Sequence, residues 1–339
     1  MSKAAIKHIS IHLPVQTLTN QQLAQEYQDW DAAKILEKTG IAVRHIAGPD
    51  ECSSDLGVAA AERLFASGVC ARDDVDFLFL CTQSPDYFLP TTACLMQDRL
   101  GLKTGCGALD FNQGCSGFVY GLSLAKGMVE TADCRNVLLI TAETYSKFVN
   151  ARDRSARTIF GDGAAATLVS AVESDRDLIG PFAFGTDGKG ARHLIVPAGG
   201  FRCPKSSETA IETQDSGGNW RSKQDLYMNG PEIFNFTIRV APGMLNQLLE
   251  KACLEIEDID YFVFHQANRF MLDHLRNKLK IPAEKFCVCL ENCGNTVSST
   301  IPIALESAMQ DSHIRKGSRV LLLGFGVGLS WAGAIIEVI

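Results

Sequence analysis

Asp74-Val-Asp-Phe-Leu-Phe-Leu-Cys81 and Asp258-Ile-Asp-Tyr-Phe-Val-Phe-His265 are two versions of one pattern. In each, a pair of aspartates leads into an apolar run, which ends on a cysteine in the first and a histidine in the second. A similar offset, about 180 residues, relates Asn112-Gln-Gly-Cys115 to Asn292-Cys-Gly-Asn295, and Val137-Leu-Leu-Ile-Thr141 to Val320-Leu-Leu-Leu-Gly324. Three matches in the same order indicate a duplicated fold. Within it Cys115 and Asn295 are counterparts, and so are Cys81 and His265.

Working outward, the unbroken apolar runs read as strands covered on both faces. In the first copy the pattern predicts helices over Ser54–Ala66, Thr92–Leu100 and from Ser116 onward, with strands at Phe77–Cys81, Ala108–Phe111, Val137–Thr141 and Ala164–Ser170. In the second it predicts helices over Pro242–Cys253, Asn268–Leu279 and Thr300–Gln310. The strands expected there are Tyr261–Phe264, Cys287–Leu290, Val320–Leu323 and Ala334–Val338. Such alternation is the mark of an α/β fold with sheets between helices. The expected division is a first half over residues 1–172 carrying Cys115 and a second over 173–339 carrying His265 and Asn295. An irregular insertion at about 185–225, rich in glycine, serine and charge, reads either as a surface loop or as a lid or channel wall.

The net charge of −7 argues against a nucleic-acid partner, which calls for a basic face. The N-terminal Met1-Ser-Lys-Ala-Ala-Ile-Lys-His8 has no uninterrupted apolar core of the kind a signal peptide needs. Most of the 12 cysteines lie in apolar stretches, as expected of reduced thiols packing as small hydrophobes. Cys287, Cys289 and Cys293 fit no common zinc spacing. The apolar tail from Val320 to Ile339 is interrupted by glycines and Glu337, so two strands around a tight turn are expected rather than membrane insertion. A cytoplasmic protein is the expectation.

Cys115 follows a strand and a glycine and precedes a helix, a setting in which the helix N-terminus lowers a thiol pKa. His265 lies at a strand's C-terminal edge, where ligand sites in α/β sheets gather. Asn295 sits in a second strand-to-helix turn. A Cys–His–Asn set has two principal chemistries: a papain-like protease, or a thioester-condensing enzyme. The local signature of the protease cysteine is absent, and those enzymes lack this duplication. Gly324-Phe-Gly-Val-Gly-Leu-Ser-Trp331 fails as a dinucleotide fingerprint because no helix follows it. As a backbone turn beside Cys115 it can aim amide N–H groups at an oxyanion.

Taken together, Asn112-Gln-Gly-Cys115-Ser-Gly-Phe, Phe160-Gly-Asp-Gly-Ala, His265-Gln-Ala-Asn268 and Gly294-Asn295-Thr resemble the β-ketoacyl-acyl-carrier-protein synthase III family. The resemblance runs from Thr39-Gly-Ile to Gly326-Val-Gly-Leu-Ser-Trp331. It implies a thiolase-like five-layer αβαβα fold made of two duplicated halves, and a homodimer. It also implies an acyltransferase in which Cys115 takes an acyl group from acyl-CoA or an acyl-carrier protein. Malonyl-acyl-carrier protein then decarboxylates beside His265 and Asn295, giving a 3-oxoacyl product. Backbone N–H groups of Cys115 and Val327 would form the oxyanion hole, with no metal or other cofactor.

Arg154, Asn268, Leu89 and Phe325 are the substrate-binding candidates by the same resemblance, with Leu89 reaching into the partner's acyl pocket. Arg269, Arg276, Lys278 and Lys280 are the candidates for docking an acidic carrier protein. Asn295 argues against elongating synthases, which use a second histidine there, and no second cysteine marks a thiolase. The alternative is a specialised acyltransferase or ketosynthase of a secondary-metabolite or polyketide pathway. Lys34 stands where many bacterial members have the tryptophan that stacks on the CoA adenine, which leaves open whether the acyl donor is CoA or a carrier protein.

Overall fold

The computed structural model describes residues 2–27 and 30–339. Its strands form two principal sheets that repeat one plan. In the first, Ser2–His12 pairs antiparallel with Gly163–Glu173, which pairs antiparallel with Asn136–Glu143; parallel to this lie Phe77–Cys81 and then Gly107–Phe111. In the second, Ile179–Thr186 pairs antiparallel with Ser330–Glu337, which pairs antiparallel with Arg319–Gly326, and Tyr261–Phe264 lies parallel at the edge. The registers repeat as well. Phe77 is opposite Val137, and its counterpart Tyr261 is opposite Val320.

Period-two alternation explains why these strands are apolar throughout. Phe79, Val137 and Leu139 of the first sheet face inward, as do Val263, Val320 and Leu322 of the second. Between them lie the helices Gly117–Glu130 and Thr300–Gln310, packed through Phe118, Val119, Leu122, Ile301, Ala304 and Leu305. The opposite face of the first sheet, with Leu78, Leu80, Leu138 and Ile140, is covered by Ser53–Ala66 and Thr92–Arg99. Phe262, Phe264, Leu321 and Leu323 of the second are covered by Gly230–Ala252 and Arg269–Lys278. Helix, sheet, helices, sheet, helix make the five-layer αβαβα arrangement expected from the resemblance.

Two expectations are corrected. The helix expected from Pro242 begins at Gly230, capped by Asn229, whose side chain accepts from Glu232 N–H; Pro242 lies inside it. Pro231 in the first turn is the proline that suits a helix start, since its missing N–H has no partner there anyway. The expected strand Cys287–Leu290 does not form. Cys287 N–H donates to Phe262 O at 2.9 Å, and then the side chain of Gln266 takes the place of the ladder. Gln266 Nε2 donates to Phe264 O at 2.7 Å, and its Oε1 accepts from Cys289 N–H at 2.7 Å. The second sheet therefore has four strands where the first has five.

The 185–225 region contains a short 3₁₀ segment, Gly188–His193, and two-residue strands at Leu194–Ile195, Thr213–Gln214 and Trp220–Arg221. All 12 cysteines are thiols. Among the described residues no helix is long and apolar enough to cross a membrane.

Candidate active site

Each half delivers a turn that leads into a helix to the middle of the molecule, the first turn following the strand Gly107–Phe111 and the second following an extended segment without a ladder, and both turns open on a glycine with positive φ. Gly114 (φ +55°) precedes Cys115, and Gly294 (φ +73°) precedes Asn295; an L side chain is strained at either place. The 3₁₀ turn Gly114–Ser116 feeds directly into the helix Gly117–Glu130, and Val297–Ser299 into Thr300–Gln310.

The last strand pair of the second half passes over the first turn. A Cβ on Gly326 would stand 2.9 Å from Cys115 Cβ and 3.3 Å from its Sγ, and one on Gly324 would stand 2.7 Å from Cys115 O. Only glycine lets that backbone approach the cysteine so closely. Ser116 Oγ and Ser330 Oγ then tie the two segments at 2.7 Å.

The reciprocal contact comes from the first half. The end of Asn136–Glu143 meets the second turn, where Ser298 Oγ donates to Glu143 Oε1 at 2.6 Å and Ser299 Oγ to Thr141 Oγ1 at 2.9 Å. Glu143 is fully buried and also accepts from Gln83 N–H at 2.9 Å.

Cys115, His265 and Asn295 line one cavity of about 470 Å³, together with Asn268, Phe325 and Gly326. Tyr145, Phe160, Leu194, Met228, Phe234 and Phe270 supply apolar walls. Asn295 is held by backbone bonds on both sides, its N–H to Ile159 O and its O from Gly161 N–H, each at 3.0 Å. Its Oδ1 accepts from Val297 N–H at 2.9 Å, so the NH₂ end is what the side chain offers to the cavity. His265 Nδ1 lies 2.7 Å from Thr300 Oγ1, which leaves Nε2 for a bound molecule. Asn268 caps the Arg269–Lys278 helix by accepting from Met271 N–H at 2.9 Å.

Burial dominates the electrostatics. It pushes the Cys115 thiol well above its usual pKa, and the carboxylate of Glu143 pushes it further. The expectation of a thiol pKa lowered at a helix N-terminus is thus corrected: taking the sulfur out of water outweighs a helix-end effect of about 0.3–1 kcal/mol. Burial also lowers His265 to about 3, so its imidazole is neutral. Glu143 itself is raised to about 8 by burial, against the lowering effect of its hydrogen bonds.

The remaining candidates lie elsewhere. Arg154 opens the short helix Arg154–Arg157 and lines a separate cleft with Tyr27, Arg152 and Trp220, away from the cavity of Cys115. Leu89 is 86% exposed on a patch with Tyr87 and Phe88, where the ring of Phe88 lies tilted by 32° against that of Phe201, centroids 6.1 Å apart. Val327 sits in the turn between the final strands and accepts from Ser330 Oγ at 3.0 Å through its carbonyl, leaving its N–H uncommitted to that bond. Arg269, Lys278 and Lys280 are exposed and Arg276 half-buried; Arg269 pairs with Asp273 at 3.1 Å. Arg269 and Arg276, seven residues apart, share a face of the helix, Lys278 lies on the opposite face, and Lys280 follows the helix end. Sequence reasoning missed Glu143, Val297 and Thr300. A lone carboxylate closing an apolar run was the one available signal for Glu143.

Similarity to known proteins extends over nearly the whole chain. The family described as 3-oxoacyl-[acyl-carrier-protein (ACP)] synthase III matches residues 109–188, and its C-terminal counterpart matches residues 249–338. A β-ketoacyl-[acyl-carrier-protein] synthase III of Caldanaerobacter subterraneus subsp. tengcongensis is 38% identical over 334 residues, covering 98% of this chain and 97% of that protein. A crystal structure of a 3-oxoacyl-(acyl-carrier-protein) synthase III superposes with a TM-score of 0.98 at 57% identity, covering 99% of both chains. A 3-oxoacyl-(acyl-carrier protein) synthase from Burkholderia xenovorans LB400 gives 0.90 at 34% identity, covering 99% of this chain and 94% of that one.

Proposed function

The chain belongs to the 3-oxoacyl-[acyl-carrier-protein] synthase III family and is an acyltransferase, and from that premise we propose a decarboxylating condensation at Cys115, His265 and Asn295. The observation that carries this reading is their convergence on one apolar cavity. Cys115 attacks an acyl thioester, from acyl-CoA or an acyl-carrier protein, and holds the acyl group. Since both Cys115 and His265 are driven toward their neutral forms, the thiol proton moves to Nε2 as the sulfur attacks, and from there to the departing thiol. Backbone N–H groups of Cys115 and Val327 receive the oxyanion, a donor of this kind contributing about 2.7–4 kcal/mol. Malonyl-acyl-carrier protein then enters, and His265 Nε2 and Asn295 Nδ2 donate to the thioester oxygen as carbon dioxide leaves. The carbanion attacks acyl-Cys115 to give the 3-oxoacyl product. The covalent chemistry is cysteine's, so no metal or redox cofactor is required.

Asn268 and Phe325 would contact the acyl group or its pantetheine arm within the cavity, and the 185–225 insertion contributes Leu194 to the wall. Arg154 would meet the distant end of the donor. Arg269, Arg276, Lys278 and Lys280, at the helix beside Asn268 and Phe270, would receive the acidic carrier protein. A homodimer would cover the exposed patch of Leu89, Tyr87 and Phe88 and the edge strand Gly107–Phe111, on which Leu109 is exposed.

Intact-protein mass spectrometry with a panel of acyl-CoA and acyl-carrier-protein donors tests the reading. An acyl adduct on Cys115 is expected, followed by release of carbon dioxide and a 3-oxo product once malonyl-carrier protein is added. No adduct with any donor would sink it. Asn295→Ala is expected to retain acylation and lose most decarboxylation, and condensation at the wild-type rate would refute the role given to Asn295.

A further inference from the structure

Oγ1 of Thr300 stands within hydrogen-bond distance of two partners, 2.7 Å from His265 Nδ1 and 3.0 Å from the carbonyl oxygen of Val297. A hydroxyl has one proton to donate and lone pairs with which to accept. The same heavy-atom positions therefore satisfy two arrangements. In one, Thr300 donates to Val297 and accepts from Nδ1–H, which leaves Nε2 with a lone pair. In the other, Thr300 donates to Nδ1, and the ring proton sits on Nε2. A neutral imidazole carries one ring proton, so the hydroxyl's orientation and the tautomer are chosen together.

The turn that supports this arrangement is unusual. Val297 has φ +56°, a conformation that is a steric outlier for a β-branched residue and persists only where its surroundings impose it. That conformation lets one residue serve both donors of the site. Its N–H holds Asn295 Oδ1 at 2.9 Å, and its carbonyl offers Thr300 the alternative to His265.

We propose that Thr300 is a positioning residue that sets the tautomer of His265, so that one imidazole accepts a proton in acylation and donates a hydrogen bond in decarboxylation. The proposal rests on the roles given above to Cys115 and His265. In acylation, the Cys115 thiol passes its proton to Nε2 as sulfur bonds to the acyl carbon. The same proton then goes to the departing thiolate of the donor, and the ring returns to its Nδ1–H form. Between the stages Nε2 gains a proton from water, Nδ1 loses one to water, and the Thr300 hydroxyl turns from Val297 to Nδ1. In decarboxylation the carbon–carbon bond breaks, carbon dioxide leaves, and the electron pair forms an enolate whose oxygen accepts from Nε2–H.

The test is ¹⁵N NMR of the full-length protein labelled in histidine, with His265→Gln identifying the signal. The expected result is a proton on Nδ1 in the free protein and on Nε2 once Cys115 carries an acyl group. One tautomer in both states overturns the proposal. Thr300→Val removes the hydroxyl at nearly constant size. It should shift the free-protein signal toward a mixture of tautomers and slow both stages about tenfold, the scale of one lost orienting hydrogen bond. Thr300→Ser should restore the signal and both rates. A Thr300→Val protein with the wild-type spectrum and rates overturns the proposal too. If wild-type Cys115 takes no acyl group, the reading of function is what fails. The free-protein spectrum of Thr300→Val then still decides whether Thr300 governs the tautomer.

Discussion

At the scale of single residues, Cys115, His265 and Glu143 share one buried neighbourhood, and burial moves each toward its neutral form. The consequences for pH can be signed. Glu143 is raised from 4.5 to about 8, so its contribution favours the fold fully below 4.5 and is lost as pH rises through 8. Glu143→Gln, which cannot ionise, should therefore gain on the wild type in denaturant midpoint between pH 5 and pH 9; an equal difference at both values would contradict this. His265 is lowered from 6.5 to about 3, so its contribution is present above 6.5 and lost as pH falls toward 3. The acylation rate should accordingly show no histidine limb between pH 5 and pH 8, and an inflection near 6.5 would count against a neutral His265. Gly326→Ala would drive a Cβ against Cys115. We expect it to slow acylation at least tenfold and to cost roughly 1–3 kcal/mol, as overpacking does, measured by adduct formation and by chemical denaturation.

At the scale of elements, the two departures from expectation have local causes. Pro242 invites a helix start in the sequence, whereas the true start is written in Asn229, Gly230 and Pro231. Cys287–Leu290 has the composition of a strand but loses its ladder to the side chain of Gln266. Gln266→Ala should leave Phe264 O and Cys289 N–H without partners and destabilise the protein by about 1–3 kcal/mol, read from the shift in denaturant midpoint. A variant as stable as the wild type would show that a strand forms once the amide is gone.

At the scale of the molecule, each half completes the other's turn. Gly324 and Gly326 lie on Cys115 and Ser116, while Thr141 and Glu143 hold Ser299 and Ser298. The central helices pack against both sheets at once. Phe118→Ala, in a fully buried position between the sheets, should cost about 3–5 kcal/mol and lower the whole molecule in one transition. Two separated transitions by calorimetry would show that the halves unfold independently.

The sequence by itself determined the α/β alternation, the doubly covered strands, and the matching of Cys115 with Asn295 and of Cys81 with His265. Those properties are periodic or repeated along the chain, so they can be read without distances. Only the tertiary structure decided that Glu143 lies behind the second turn, that the Thr300 hydroxyl meets His265 Nδ1, and that Arg154 opens on a different cleft from Cys115. It also reversed the expected direction of the Cys115 pKa. Burial and hydrogen bonding between segments far apart in the chain arise when the two halves pack, and no local pattern records them.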